Sequence, residues 1–223
     1  MAITTRWWWV RHAPVINARQ ELYGHKDLDC RLDDEATIAT LADWLPHDAI
    51  WVTSHLKRAI ATANAVRDQM VSRQLKFLDP IIEPAFAEQH FGDWEGMSFD
   101  ELRDSLGDSF KAFWKAPATV AAPAGESFVD VIKRVADGIA RITDVHAGRD
   151  IITVAHSGSI RAALAHALTL DPDAALTFRI DNLSLTVIEH VQPTSVEPER
   201  GARTTWRVAS VNASRRNGVK NFP

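Results

Sequence analysis

The sequence predicts an α/β sandwich with a mainly parallel sheet, because short buried strands alternate with amphipathic helices. The apolar runs Trp7–Val10, Ala49–Thr53 and Asp150–Ala155 have the length and composition of buried strands. Segments with apolar residues at helical spacing lie between these runs. The chain has neither an internal repeat nor a low-complexity linker, so residues 1–223 are expected to form a single domain.

The first strand, Trp7–Val10, has bulky side chains that alternate between the two faces of a sheet. We therefore expect Trp8 to pack in one layer and its two tryptophan neighbours in the other. Residues 33–45 follow with helical spacing and acidic residues in the first turn, which predicts a helix. The strand Ala49–Thr53 comes next.

The middle of the chain begins with a helical pattern over Leu56–Met70 and a strand-like run over Leu75–Ile82. Residues 88–125 differ, because glycines and prolines separate short helical pieces. We interpret this stretch as a lid-like insertion over one end of the fold. A long amphipathic helix, Ser127–Val145, precedes the strand Asp150–Ala155.

The last third of the chain predicts a helix over Ser159–Leu170 and strands over Leu183–His190 and Thr205–Val211. The final strand is expected to form an exposed edge of the sheet, where another chain can pair. The sequence therefore leaves both a monomer and a homodimer open.

The charge balance argues against nucleic acid and membrane partners, because the net charge is -4 and no apolar run is long enough to span a bilayer. Cys30 is the one cysteine and cannot form an internal disulfide. Arg6 and His12 interrupt any signal-peptide core, so we expect a cytoplasmic protein. An anionic substrate would need locally concentrated arginines.

Basic side chains follow the predicted strands at the point where each strand ends. The first strand ends in Arg11 and His12, Arg58 lies one turn into the helix after the second, and His156 follows the third. Ligands of parallel sheets bind at these carboxyl ends. Arginine forks bind phosphate oxygens, and a neutral imidazole can attack phosphorus. The pattern therefore favours chemistry on a phosphoryl group.

The reaction also needs a general acid for the leaving oxygen. Glu88 is the candidate, because it lies in a Gly-rich turn that follows the third apolar stretch. Asp93 and Glu95 are close enough in sequence to be alternatives.

Each candidate also has an ordinary structural interpretation. His12 and His156 could be histidines satisfied by backbone groups, and Arg11 and Arg58 could be surface ion-pair partners that contribute little. The positions of these four residues at strand ends favour a functional role. Three further histidines either line the entrance of the site or are solvated loop residues: His25, His55 and His90.

Five motifs lie at predicted strand or turn ends: V-R-H (10–12), S-x-L-x-R-A-x-x-T-A (54–63), A-E-Q-H-F-G-D-W-E-G (87–96), P-A-G-E-S (123–127) and V-A-H-S-G-S-I-R (154–161). Together they resemble the histidine phosphatase superfamily, also called phosphoglycerate mutase-like proteins, in the order that the family has. The resemblance spans nearly the whole chain.

The resemblance implies a three-layer αβα sandwich with a mostly parallel central sheet. It implies that His12 is the phosphorylated nucleophile, that Arg11, Arg58 and His156 form the phosphate pocket, and that Glu88 is the proton donor. It also implies that the enzyme uses no metal and no organic cofactor. The expected partner is a small phosphorylated substrate or inorganic phosphate.

The chain departs from the family pattern after its first strand. Ala13 and Pro14 stand where the family usually has Gly-Glu, and Ser157 stands where a glycine usually follows the second histidine. Asn17 would match a phosphate-contacting asparagine of the family if the loop were one residue shorter. These departures concern the geometry of the pocket more than the reaction.

The resemblance leaves the activity partly open. The short insertion and the P-A-G-E-S motif resemble the phosphatase branch, which predicts a phosphomonoester hydrolase. The run Tyr23–Asp27 and the motif D-W-E-G are similar to α-ribazole phosphatases, which makes Tyr23, Gly24 and Ser157 candidate substrate-binding residues along with Asn17. A phosphoglycerate mutase and a non-catalytic binder of phosphate ligands are the alternatives.

Overall fold

A computed structural model describes residues 2–17, 19–71, 79–193 and 205–215, and the following statements concern those residues. The strands form a single mixed sheet in the order β3-β2-β4-β1-β5-β6. Their bounds are β1 Ala2–Arg11, β2 Ala49–Thr53, β3 Ile81–Ile82, β4 Asp150–Ala155, β5 Leu185–Pro193 and β6 Thr205–Ala213. The pairs β3-β2, β2-β4 and β4-β1 are parallel. The pairs β1-β5 and β5-β6 are antiparallel.

The helices flank this sheet. Their bounds are α1 Glu35–Trp44, α2 Lys57–Val71, α3 Phe99–Leu106, α4 Asp108–Lys115, α5 Phe128–Val145, α6 Ser157–Leu168 and α7 Pro172–Leu176. Side-chain capping defines where two of these helices begin. Asp34 caps the N-terminus of α1, and Ser127 forms a capping box with Asp130 at the N-terminus of α5. Within the described part of the chain, no helix has the length and apolar character needed to cross a membrane.

Two apolar cores lie on opposite faces of the sheet, and β1 contributes to both. Trp7 and Trp9 stack with ring centroids 5.5 Å apart in the core that includes α5 and α6. Trp8 packs against the other core, which includes α1 and α2. The alternation predicted for the tryptophans is confirmed, and so is the three-layer αβα architecture.

Several predicted boundaries were wrong. Of the strand expected over Leu75–Ile82, residues 75–78 lie outside the described part of the chain, residues 79–80 are not in a strand, and Ile81–Ile82 form an edge strand that pairs with β2. Helix α6 begins at Ser157 rather than Ser159, because the His156 backbone N–H already bonds to Ser159 Oγ.

Other ends also differ from the prediction. Helix α6 stops at Leu168 because Thr169 adopts a left-handed conformation with φ 51°. Strand β1 begins at Ala2, well before Trp7, because it pairs with β5 from that residue onward. Strand β6 does lie at an edge of the sheet, as expected.

The stretch 88–125 contains α3 and α4 and builds a small core of its own. The buried residues of this small core are Trp94, Leu102, Phe113 and Ala122. Gly92 has φ +50°, and a Cβ there would collide with the carbonyl oxygen of Pro123, so the stretch closes tightly on itself. Its action as a lid stays a prediction.

Candidate active site

The carboxyl end of β1 places His12 in the protein interior. Its backbone N–H donates to the Ala155 carbonyl at 3.0 Å, and its own carbonyl accepts from Asn182 Nδ2 at 2.8 Å. The side chain is fully buried. The backbone of this residue is therefore held by the end of β4 on one side and by the loop that precedes β5 on the other.

One ring nitrogen of His12 is engaged and the other is not. Nδ1 lies 2.7 Å from the Ala13 carbonyl oxygen, which can only accept, so the hydrogen-bond network assigns the proton to Nδ1. Nε2 then carries the lone pair. This atom is buried and has no hydrogen-bond partner among the described residues.

His156 lies beside His12, with ring centroids 5.0 Å apart. It follows β4 directly and precedes α6, and its Nε2 lies 2.7 Å from Ser54 Oγ at the end of β2. Its Nδ1 is buried, and the described part of the chain offers it no hydrogen-bond partner. The ends of β1, β2 and β4 thus meet at one place, as predicted.

The surroundings favour the neutral form of both imidazoles. Burial lowers the pKa of His12 well below its usual range, and the positive charges of Arg11 and Arg58 lower it further. Burial likewise lowers the pKa of His156, with contributions from His12, Arg58 and Arg11. A neutral imidazole is the form that can act as a nucleophile.

The two arginines are anchored by backbone carbonyl groups. Arg58 is fully buried and donates to Gly24 and Lys26 at 2.6 Å and 2.8 Å, with its guanidinium 5.0 Å from the centre of the Tyr23 ring. Arg11 donates from Nη1 to the Ile180 carbonyl at 2.6 Å. The Nε atoms of both are buried and lack a hydrogen-bond partner in the described ranges. Donors therefore remain for an anion beside His12.

Glu88 approaches the site from the loop after β3. Its Oε1 accepts from the backbone N–H groups of Gly158 at 2.9 Å and Gln89 at 3.0 Å, and its Oε2 accepts from Ser157 Oγ at 3.3 Å. A Cβ at residue 158 would collide with the Glu88 carboxylate. The glycine thus allows the carboxylate to reach the first turn of α6, next to His156.

The Glu88 backbone is held by Arg134 of α5, which sequence reasoning did not single out. This side chain donates to the carbonyl oxygens of Ala85, Ala87 and Glu88 at 2.6 to 3.0 Å, and it forms a salt bridge with Glu126 at 2.8 Å. Nothing in the sequence pattern distinguishes Arg134 from Arg141, the exposed arginine of the same helix. Its role depends on the tertiary structure.

A cleft of about 300 Å³ opens beside these groups. Four predicted site residues line it: Tyr23, Gly24, Glu88 and Ser157. Arg161, which was not predicted, lines it as well. Asn17 does not line this cleft, and its amide instead bonds to both backbone groups of Glu21, at 2.8 Å and 3.0 Å.

The residues that depart from the family pattern have clear local partners. The Ala13 N–H donates to Thr62 Oγ1 at 2.9 Å, and that hydroxyl donates to the Arg58 carbonyl at 2.7 Å. Ala13 does not have a positive φ, so its backbone does not require glycine. The chain after His12 is thereby tied to α2.

Three histidines lie in one area. His25 Nε2 is 2.7 Å from the Glu88 carbonyl oxygen, and its ring centroid is 4.7 Å from that of His90 and 6.1 Å from that of His55. His25 is therefore part of the support of the Glu88 loop rather than a solvated loop residue. The described residues contain no cluster of histidine, cysteine and acidic side chains arranged to hold a metal ion.

Curated relatives of this chain include both mutase-like proteins and phosphatases. Phosphoglycerate mutase-like protein 4 of Arabidopsis thaliana is 28% identical over 183 residues, which are 80% of this chain and 76% of the relative. Phosphoserine phosphatase 1 of Hydrogenobacter thermophilus is 28% identical over 142 residues, 64% of each chain. The match to bifunctional protein Rv2228c of Mycobacterium tuberculosis is 30% identical over 138 residues; it covers 62% of this chain and 36% of that protein.

Solved structures share the fold. A putative alpha-ribazole-5'-P phosphatase from Escherichia coli matches with a TM-score of 0.74 and 24% identity, covering 94% of this chain and 96% of the other. A mycobacterial glucosyl-3-phosphoglycerate phosphatase in complex with VO3 matches with a TM-score of 0.75 and 24% identity, covering 94% and 99%. At this identity the two likenesses establish the fold alone.

The sequence profile described as "Histidine phosphatase superfamily (branch 1)" matches residues 7–196. This range runs from the first tryptophan of β1 to a point beyond the end of β5 and includes each residue of the site described above. The chain belongs to the histidine phosphatase superfamily.

Proposed function

We propose that the protein is a phosphomonoester hydrolase that acts on a small phosphorylated metabolite through a phosphohistidine at His12. The observation that carries this proposal is the unengaged Nε2 of His12. Its lone pair is set by the Nδ1 contact with Ala13, and burial together with the neighbouring cations lowers the pKa of the ring and so favours its neutral form. A buried neutral imidazole beside two arginines suits attack on a phosphoryl group.

The first step transfers the phosphoryl group to the protein. His12 Nε2 forms a bond to phosphorus while the bond from phosphorus to the leaving oxygen breaks, and protonated Glu88 gives its proton to that oxygen. Arg11, Arg58 and His156 supply donors for the equatorial oxygens as charge spreads over them. The N-terminus of α6 adds backbone N–H groups nearby.

The second step returns the protein to its starting state. A water molecule attacks phosphorus, the Nε2–P bond breaks, and the Glu88 carboxylate takes a proton from the water, so inorganic phosphate leaves. The position of Glu88 supports this role, because its carboxylate lines the cleft and bonds to the first turn of α6, directly after His156. We propose that substrate is contacted from the wall of the cleft by Tyr23, Gly24 and Ser157. Asn17 is proposed to act indirectly, by holding the backbone of Glu21, which lines the same cleft.

A phosphate assay with p-nitrophenyl phosphate in EDTA tests the proposal. We expect turnover without added metal, and we expect His12→Ala to abolish both turnover and an acid-labile, base-stable phosphoprotein. His47→Ala is the matched control, because His47 is exposed. Full activity of His12→Ala would disprove the mechanism, and phosphate binding without any phosphoprotein would support a non-catalytic binder.

A phosphoglycerate mutase is the second candidate, and the mutase-like relatives favour it. The two activities share the phosphohistidine but differ in the fate of the phosphoryl group. We expect 3-phosphoglycerate to release inorganic phosphate faster than it yields 2-phosphoglycerate. Isomerisation that outpaces phosphate release would assign the protein as a mutase. An α-ribazole-5'-phosphate phosphatase is the more specific form of the hydrolase proposal, and a screen with that compound tests it.

A further inference from the structure

The guanidinium group of Arg161 is a cation that the proposed reaction does not use. Arg161 lies on α6, one turn after Ser157, and lines the cleft beside Glu88. Its Nε donates to the Phe178 carbonyl oxygen at 2.8 Å. Its two Nη atoms make no hydrogen bond or salt bridge with any residue that the structure describes.

The one bond that Arg161 makes orients its side chain. The Nε bond to Phe178, which follows α7, holds one edge of the planar guanidinium and leaves the terminal fork free. The side chain is partly buried, and burial lowers the pKa of Arg161. A fork that is already ordered loses little entropy when it binds a carboxylate or phosphate.

The charge of Arg161 acts on the leaving-group side of the site. Arg161 lines the cleft together with Glu88, whereas His12, Arg11 and Arg58 do not line it. Glu88 is its main favourable electrostatic partner, and Glu88 is the proposed proton donor to the leaving oxygen. The Arg161 side chain therefore faces the cleft on the Glu88 side, although its charge also acts on Arg11 of the proposed phosphate pocket.

The rest of this wall is largely apolar. Leu22, Phe91, Phe99 and Leu176 line the same cleft. An apolar leaving group would bury surface against these side chains, whereas an anionic substituent would meet the Arg161 fork. The two features together select for a leaving group with an apolar body and one anionic group.

We propose that Arg161 is a specificity-determining residue that binds a second anionic group, such as a carboxylate, on the leaving group of the phosphate monoester. This inference rests on the proposed hydrolase function and names the chemical class of its substrate. It requires that the Nη atoms contact the substituent while the phosphoryl group sits beside His12.

Matched aryl phosphates test the inference. Wild-type protein is assayed with phenyl phosphate and with the 3-carboxy and 4-carboxy phenyl phosphates, and kcat/KM is compared for each. We expect a carboxyl-bearing substrate to exceed phenyl phosphate by about 10-fold to 100-fold, the range of a charged hydrogen bond. Arg161→Gln is expected to bring that ratio close to one, and Arg161→Lys to keep part of it.

The control is Arg141→Gln, because Arg141 is an exposed arginine of α5 whose ion-pair partner is Glu83. This variant is expected to keep the wild-type ratio. The inhibition constant of inorganic phosphate is measured for all variants. If Arg161→Gln weakens the binding of inorganic phosphate and lowers kcat/KM by the same factor for every substrate, Arg161 is a phosphoryl ligand or a structural residue, and the inference is wrong.

The two proposals fail in different ways. If no aryl phosphate is hydrolysed by wild-type protein, the hydrolase function fails. If all three are hydrolysed through His12 but the wild-type ratio is already near one, the hydrolase function stands and the role of Arg161 is overturned.

Discussion

The imidazole rings of His12 and His156 lie with their centroids 5.0 Å apart and their planes inclined by 53°, and both side chains are fully buried. Protonation of either ring costs free energy here, because burial and the arginine cations both disfavour the imidazolium. The pair therefore links the proposed nucleophile, His12, to the pH dependence of the stability of the fold.

The first prediction is that His156→Gln makes the protein less sensitive to acid. The folded pKa of His156 lies below the unfolded value of about 6.5, so the unfolded chain binds the extra proton first. The contribution of neutral His156 to the free energy of unfolding is therefore fully present above about pH 6.5 and is lost as the pH falls toward the folded pKa. Urea unfolding at pH 7, 6 and 5 should show a slope lower by up to about 1.4 kcal/mol per pH unit in the variant. His47→Gln should keep the wild-type slope, and an unchanged slope in His156→Gln would contradict the prediction.

The second prediction concerns Gly158→Ala. The added methyl group would occupy the position of the Glu88 carboxylate, so Glu88 must move from the α6 N-terminus. We expect kcat to fall by about 10²-fold to 10⁴-fold, the usual contribution of a general acid. Kinetics of Gly158→Ala, Glu88→Gln and the double variant measure the coupling. The double variant should be little worse than Glu88→Gln; additive losses would show that the glycine acts independently of Glu88.

The third prediction is that Arg134 is a positioning residue for Glu88. Arg134→Gln removes donors from the carbonyl groups that hold the loop, so kcat should fall about 10-fold to 100-fold through misplacement of the carboxylate. The inhibition constant of inorganic phosphate should change by less than about twofold, because phosphate binds at the histidine pair in the proposed site. Arg141→Gln on the same helix is the control. A parallel loss of phosphate binding and kcat would indicate general unfolding of the site instead.

The fourth prediction concerns the hydroxyl group that ties Ala13 to α2. Thr62→Val keeps the shape of the side chain but leaves the buried Ala13 N–H without this acceptor, which should cost about 1–3 kcal/mol of unfolding free energy. Thr40→Val removes an exposed hydroxyl that bonds to the Ala36 carbonyl on α1 and should cost much less. Equal losses in urea unfolding of the two variants would show that the Ala13 contact contributes nothing special.

The sequence was most informative where chemistry sits at the end of a strand. His12 and His156 each follow a long apolar run, and parallel strands must bring such ends together, so their proximity could be predicted. The fold class followed from the same alternation of strands and helices. The strand predicted over Leu75–Ile82 was wrong at residues 79–80, because an apolar run by itself does not show whether a neighbouring strand will pair with it.

The supporting residues could not be predicted in this way. Arg134 shares α5 with the exposed Arg141, and Arg161 is the single arginine of α6; the roles of Arg134 and Arg161 depend on which carbonyl groups and carboxylates the loops bring to them. Thr62 is an ordinary helix hydroxyl in sequence, and only the tertiary structure gives it a partner at Ala13. Asn17 shows the converse, because its local turn with Glu21 engages the amide that the family pattern assigns to phosphate.

The order in which the chain is synthesised bears on the junction between β1 and β5. His12 and Arg11 emerge early, yet their anchors, Asn182 and Ile180, are about 170 residues later in the chain. Contacts this distant in sequence form slowly, and during synthesis they must wait for most of the chain to emerge. A nascent chain that stops before residue 180 would therefore carry His12 and Arg11 without the Asn182 amide and the Ile180 carbonyl that hold them, and the proposed active site would be completed only after residue 182 has emerged.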